Sequence, residues 1–156
     1  MAEKLSRRSF LKLTGLVGGT FLLAGCEFAN RLKGVPKTQL PLIEGAWTYT
    51  DGMLSLDLTK LPELEALGGA VRIEGQVLSD PILVVLGDDG NYYAFKNACT
   101  HAGRMIDPLA GTMTLECCSA SKSTYDYQGN VLSGPAEGPL TSYPLTVDED
   151  HLLITL

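Results

Sequence analysis

Histidine is scarce in this sequence, with 2 in 156 residues, and there is a single tryptophan. Two imidazoles, His101 and His151, are all that is present, and neither stands in a motif that argues for a Ser-His-Asp arrangement. Basic residues are also few: 12 Lys and Arg stand against 18 Asp and Glu, for a net charge of −6. Nucleic acid is therefore excluded as a partner, because its phosphates demand Lys and Arg. No glycine-rich phosphate loop, internal repeat or heptad pattern is present. The one apolar run near the N-terminus, residues 13–25, is 13 residues broken by three glycines. A helix needs about 20 apolar residues to cross a hydrocarbon core.

What the N-terminus holds instead is a sorting signal, to be set aside before any reading of fold. Ser6-Arg7-Arg8-Ser9-Phe10-Leu11-Lys12 is a twin-arginine segment, and Leu23-Ala24-Gly25-Cys26 resembles the lipobox of bacterial lipoproteins. The two stand in the right order and spacing. The expectation is export to the periplasm or another extracytoplasmic face, with Cys26 lipidated and tethering the chain to a membrane. Residues 1–25 hold Lys4, Arg7, Arg8 and Lys12 against Glu3, so their removal takes the net charge from −6 to −9. Twin-arginine export moves folded proteins, which suits a domain that acquires a cofactor before crossing.

Three domains of organisation follow: signal and lipobox at 1–26, a linker at 27–45, and one folded domain at 46–156. Gly34, Pro36, Pro41 and Gly45 interrupt any periodicity in the linker. From Ala46 the pattern is strand-like. Met53 to Leu58 alternates apolar and polar residues, as do Ala70 to Glu74. Ile82 to Leu86 is a continuous apolar run that suits a buried strand. Asp88-Asp89-Gly90-Asn91 is a hairpin turn leading to a strand at Tyr92 to Phe95. Leu61 to Leu64 reads as a short helical turn. Further strands fit Met113 to Leu115, Thr124 to Asp126, Val131-Leu132, Leu145 to Val147 and Leu152 to Leu156. Short strands with turns every eight to twelve residues indicate an all-β, antiparallel sandwich or barrel.

Of four cysteines, Cys26 belongs to the lipobox, which leaves Cys99, Cys117 and Cys118. An odd number in an exported chain points to a metal or a reactive thiol rather than a disulfide framework. Cys99-Thr100-His101 follows the Tyr92 strand, and Cys117-Cys118 lies some 15 residues further on. Thiolate with imidazole suits zinc, copper or iron–sulfur chemistry.

These residues resemble the Rieske iron–sulfur family, in which a C-x-H loop and a C-x-x-H loop meet over a [2Fe-2S] cluster. Tyr93 to Gly103 is similar to the family's first loop, and Tyr125 to Ala136 to the segment after its second. Counted back from Tyr125, the second motif falls on Cys118-Ser119-Ala120-Ser121, so Ser121 stands where the second histidine is expected and Lys122 where glycine is usual. Arg104 and Ala120 occupy the positions of a cysteine pair found in quinol-oxidising members. The resemblance implies metal ligands Cys99, His101, Cys118 and Ser121. It also implies hydrogen bonds to cluster sulfurs from Ser123 and Tyr125, and shielding from water by the loop that holds Pro135.

Three arrangements remain open from the sequence. A [2Fe-2S] cluster takes oxygen from Ser121 or water at the missing corner. Alternatively Cys117 joins Cys99, His101 and Cys118, for iron–sulfur or zinc; adjacent cysteines on a strand face opposite ways, so this needs a kink. In the third, the metal is lost and the fold serves as an interaction subunit. The expected role is one-electron transfer, as subunit or partner of a membrane oxidoreductase or another redox protein.

Overall fold

The computed structural model describes Thr38 and residues 45–156. The expected signal at 1–26, with Cys26, and all of the linker except Thr38 and Gly45 lie outside the described residues.

Eleven short strands form three antiparallel sheets among the described residues. Strands β1 (Trp47–Thr50) and β2 (Met53–Asp57) form a hairpin whose turn, Asp51-Gly52, has both φ angles positive, 50° and 81°. Such turns match the right-handed twist of the strands they join. In β2 the alternation read from the sequence holds: Leu54 and Leu56 are fully buried, while Met53, Ser55 and Asp57 face outward. The sheet is completed by the C-terminal hairpin, β10 (Leu145–Asp148) and β11 (His151–Thr155), in the order β1-β2-β11-β10. Between the first and second sheets run two short 3-10 turns, the second of them at Pro62–Leu64.

The second sheet is β3 (Ala70–Ile73), β4 (Ile82–Leu86) and β5 (Tyr92–Lys96), in that order. It lies between two cores. Ile82 and Val84 of β4 pack with Leu54, Leu56, Leu152 and Ile154 of the first sheet. Leu83 and Val85 point the other way, into a core with Ile106, Leu115, Tyr125 and Tyr127 of the third sheet. All five positions of β4 are buried, which is why its sequence is apolar without alternation.

The third sheet is β6 (Ile106–Leu109), β7 (Thr114–Cys117), β8 (Thr124–Asp126) and β9 (Val131–Ser133), in chain order. Strand β6 was not expected from the sequence. It contains Pro108, which lacks an N–H, and it is tolerated because β6 lies at the sheet edge. This sheet follows β5 directly, and its loops carry Cys99, His101, Cys118 and Ser121.

In the second core Tyr127 meets Tyr93 edge to face, with ring centroids 5.2 Å apart. Its hydroxyl is buried without a hydrogen-bond partner among the described residues. Burial, with the Asp88 and Asp89 carboxylates, pushes the Tyr127 hydroxyl up to about 12. An unfolded tyrosine releases its proton near 10, so the folded state loses stability as pH rises from 10 to 12. Tyr127→Phe should therefore be neutral or stabilising by about 1 kcal/mol in denaturant melts at pH 7. The same variant should weaken the alkaline loss of stability. Destabilisation at pH 7 would show that the hydroxyl holds a partner.

Candidate metal centre

Two loops at one end of the third sheet carry the chemistry. The first begins at Asn97, almost wholly buried, whose side-chain oxygen accepts the Ile106 N–H at 2.7 Å. The Cys99 N–H then donates to the Arg104 carbonyl at 2.7 Å, and the Gly103 N–H to the Cys99 carbonyl at 2.8 Å. This tight loop turns the Cys99 side chain into the second core and leaves His101 half-buried at its apex. The second loop is sewn to the first by the Cys118 N–H, which donates to the Met105 carbonyl at 2.9 Å. The Cys117 N–H donates to the Ser123 carbonyl at 2.8 Å and closes the loop's base.

Donor atoms of Cys99, His101 and Cys117 all lie within 4.8 Å of one another. Cys99 Sγ is 2.8 Å from His101 Nδ1 and 3.0 Å from the Tyr125 hydroxyl. A row of hydroxyls joins the two loops from the other side. The Cys117 thiol donates to Ser119 Oγ at 3.3 Å, Ser119 Oγ is 3.1 Å from Ser121 Oγ, and Ser121 Oγ is 3.2 Å from His101 Nε2. Burial pushes the Cys99 thiol up, but hydrogen bonds from Tyr125 and His101 outweigh it and bring it down to about 7. Cys117, more deeply buried, is shifted upward. Tyr125 is also raised, by burial and by its bond to Cys99.

Of the expected ligands, Cys99, His101 and Ser121 meet here, whereas the Cys118 sulfur turns away and donates to Asp107 Oδ2 at 3.3 Å. Cys117 takes its place in the group. The reason is the pleat of β7, where Leu115 and Cys117 are buried while Thr114 and Glu116 are less so. Neighbouring residues along a strand face opposite ways, and Cys118, one residue beyond the end of β7, continues that alternation by turning its sulfur to Asp107. Counting back from Tyr125 crosses an irregular loop and lands on Cys118, whereas counting forward from Leu115 along the strand lands on Cys117. That alternation is the sequence signal for the facing of Cys117. Asp107 was not singled out from the sequence. Its carboxylate also accepts the Thr38 N–H at 2.9 Å and the Thr38 hydroxyl, tying one linker residue to this sheet.

Ser123 is fully buried, and its hydroxyl has no partner among the described residues. Pro135 is exposed on a loop held to the first one by the Thr100 hydroxyl, which donates to the Gly138 carbonyl at 2.8 Å. His151 opens β11, exposed and in register with Asp57 and Asp148 on the far sheet.

The Rieske [2Fe-2S] domain model matches residues 59–144, more than half of the sequence. The chain belongs to the Rieske [2Fe-2S] family. The ferredoxin subunit of 3-phenylpropionate/cinnamic acid dioxygenase from Escherichia coli (strain K12) is 30% identical over 91 residues, covering 57% of this chain and 82% of that one. A glycine betaine monooxygenase oxygenase subunit from Chromohalobacter salexigens is 34% identical over 71 residues, 45% of this chain and 16% of that one. The solved ferredoxin of carbazole 1,9a-dioxygenase from Nocardioides aromaticivorans IC177 shares the fold, with TM-score 0.51 and 24% identity over 65% of this chain and 96% of that one. A Rieske domain implies a [2Fe-2S] cluster, and the chain is an electron-transfer protein of that class.

The donors here fit such a group in kind. Two buried thiols and an imidazole converge, the Tyr125 hydroxyl is hydrogen-bonded to one sulfur, and the orphaned Ser123 hydroxyl sits beside the base of the second loop. The Cys99–His101 contact of 2.8 Å is a hydrogen bond. A thiol and a ring nitrogen in direct hydrogen bond leave no room for a metal between them, so the two would part to hold the group.

Two backbone positions test this construction. Lys122 has φ 47°, a left-handed conformation that a side chain resists. Lys122→Gly should raise the melting stability by about 1 kcal/mol. Gly134 has φ 87°, and a Cβ there would lie 2.6 Å from the Ser123 Cα. Gly134→Ala should cost at least about 1–3 kcal/mol in the same assay. Tolerance of alanine would mean that the Pro135 loop does not press on the second loop.

Proposed function

We propose that this chain relays single electrons through a [2Fe-2S] cluster held by Cys99, Cys117 and His101, with Ser121 or water at the fourth corner. The carrying observation is the convergence of the three donor atoms within 4.8 Å. Family membership implies the cluster, and the choice of Cys117 over Cys118 rests on the pleat of β7. A second reading keeps Cys118, at the position the family spacing favours.

When bound, the cluster supplies a one-electron couple and makes or breaks no substrate bond. The protein's own residues set the conditions. Tyr125 donates to the Cys99 sulfur, which withdraws charge from it and favours the reduced state. Thr100 and Gly138 hold the Pro135 loop against the first loop, keeping water away. His101, half-buried at the apex, is the part of the site that a partner meets first. A serine oxygen is harder and more negative than imidazole, so the potential falls below that of a two-histidine centre.

The partner is a redox protein. The relative named a ferredoxin subunit of a dioxygenase supports an oxygenase-type acceptor. The twin-arginine and lipobox sequences support a lipid-tethered carrier outside the cytoplasm serving a membrane oxidoreductase.

Visible absorption and electron paramagnetic resonance of the anaerobically purified full chain test the proposal. A reduced [2Fe-2S] signal is expected, lost in Cys99→Ser and Cys117→Ser but kept in Cys118→Ser. The reverse pattern for the last two would favour the second reading. A colourless protein without iron would leave a structural or interaction subunit, or a zinc site if zinc is stoichiometric. Ser121→His should raise the potential and make it pH-dependent in redox titrations; no change would remove Ser121 from the ligand corner.

A further inference from the structure

Cys99 and Cys117 are free thiols, each buried, in the same core. Their sulfurs lie within 4.8 Å of each other. They come from loops 18 residues apart in sequence, brought together by the Cys118–Met105 and Cys99–Arg104 backbone bonds. The third thiol, Cys118, is committed elsewhere, to the Asp107 carboxylate at 3.3 Å. It follows Cys117 directly, and the strand's pleat sends the two side chains apart, so these neighbours are poorly placed to pair. One pair out of three is therefore set up for closure.

We propose that in the metal-free chain Cys99 and Cys117 are a disulfide-forming pair, and that this bond locks the site against metal until a thiol reductant opens it. The oxidant class is a hydroperoxide, small enough to reach half-buried His101 and the sulfur beside it. A thiolate sulfur attacks the peroxide, forming S–O as O–O breaks and hydroxide leaves. The second sulfur then attacks the sulfenic sulfur, forming S–S as S–O breaks and water leaves. With hydrogen peroxide the sum is two thiols and one peroxide giving one disulfide and two waters. Closure consumes the two sulfurs that a metal would need as thiolates. The Cys117 thiol is hydrogen-bonded to Ser119, and Cys117 is the last residue of β7, so its sulfur can turn toward Cys99 without unmaking the β-sheet.

This inference needs no cluster and is judged on different material from the electron-carrier reading. The full chain, stripped of metal with a chelator under a reductant and then freed of both, is treated with hydrogen peroxide. Peptide mapping without reduction follows. The expected result is a Cys99–Cys117 cross-link and a loss of two titratable thiols, both reversed by dithiothreitol. Because Cys117 and Cys118 share a peptide, variants assign the bond: Cys118→Ser retains the cross-link, while Cys117→Ser and Cys99→Ser lose it. Circular dichroism checks that each variant is folded. Oxidised wild type should take up less than a tenth of the iron that the reduced chain takes up on addition of ferrous iron and sulfide. A bond from Cys99 to Cys118 or Cys26, or thiols that stay free, overturns the proposal. A chain that forms the bond yet shows no cluster when purified anaerobically upholds this inference and sinks the electron-carrier reading instead.

Discussion

The site depends on the pleat of one four-residue strand. β7 alternates, so the face that buries Leu115 also buries Cys117, and the following sulfur must leave. That alternation is enforced from both sides. β7 is paired to β6 on one edge and to β8 on the other, and a slip of one residue would turn Leu115 out of the core. Packing therefore selects which sulfur faces Cys99, before any metal is present. Stability and donor geometry are set by the same contacts, and Cys99 and Cys117 are themselves members of the apolar core.

The second sheet makes this possible by serving two cores at once. Its β4 strand gives Ile82 and Val84 to one and Leu83 and Val85 to the other. The first sheet, far from the metal loops, fixes one face of β4. The other face becomes a rigid floor for β6 to β8. Phe95 on β5 extends that floor, and β5 leads directly into the first loop, so Cys99 enters the site from a strand buried on its inner positions. An electron carrier gains from such a floor, since a centre that moves little between oxidation states reorganises little.

Much of this was legible in the residues. The alternation of Met53 to Asp57, the buried run at Ile82 to Leu86 and the hairpin turn at Asp88 to Asn91 each state a local rule that the fold obeys. Cys99, His101 and Ser121 could be located because the residues around them carry strong motifs, and they do come together. Two features were not legible. Strand β6 carries Asp107 and Pro108, both poor strand residues, and it is tolerated through its edge position and through side-chain partners distant in sequence. The facing of Cys117 and Cys118 was obscured because motif spacing counts residues through a loop whose backbone is irregular at Lys122, with φ 47°. Spacing measures chain length, while facing depends on strand phase.

Ser121, at the position where the family resemblance leads one to expect a second histidine, belongs to a row of hydroxyls. An imidazole reaches a metal from a long side chain, whereas a serine oxygen stands one carbon from the backbone, so its loop must come closer. The left-handed turn at Lys122 and the Lys122–Ser119 backbone bond of 3.3 Å draw residues 119–122 into a tight curl. That curl aligns Ser119 and Ser121 between the Cys117 sulfur and His101 Nε2. The second loop thus meets the remaining ring by hydrogen bonds of neutral hydroxyls. His101 is held on both nitrogens, by a sulfur on one side and a serine on the other. A ring tethered at both nitrogens keeps its orientation in the metal-free protein, and one of the two bonds must open before a nitrogen is available to a metal. Ser121 thus acts in this structure as an orienting partner of the His101 ring.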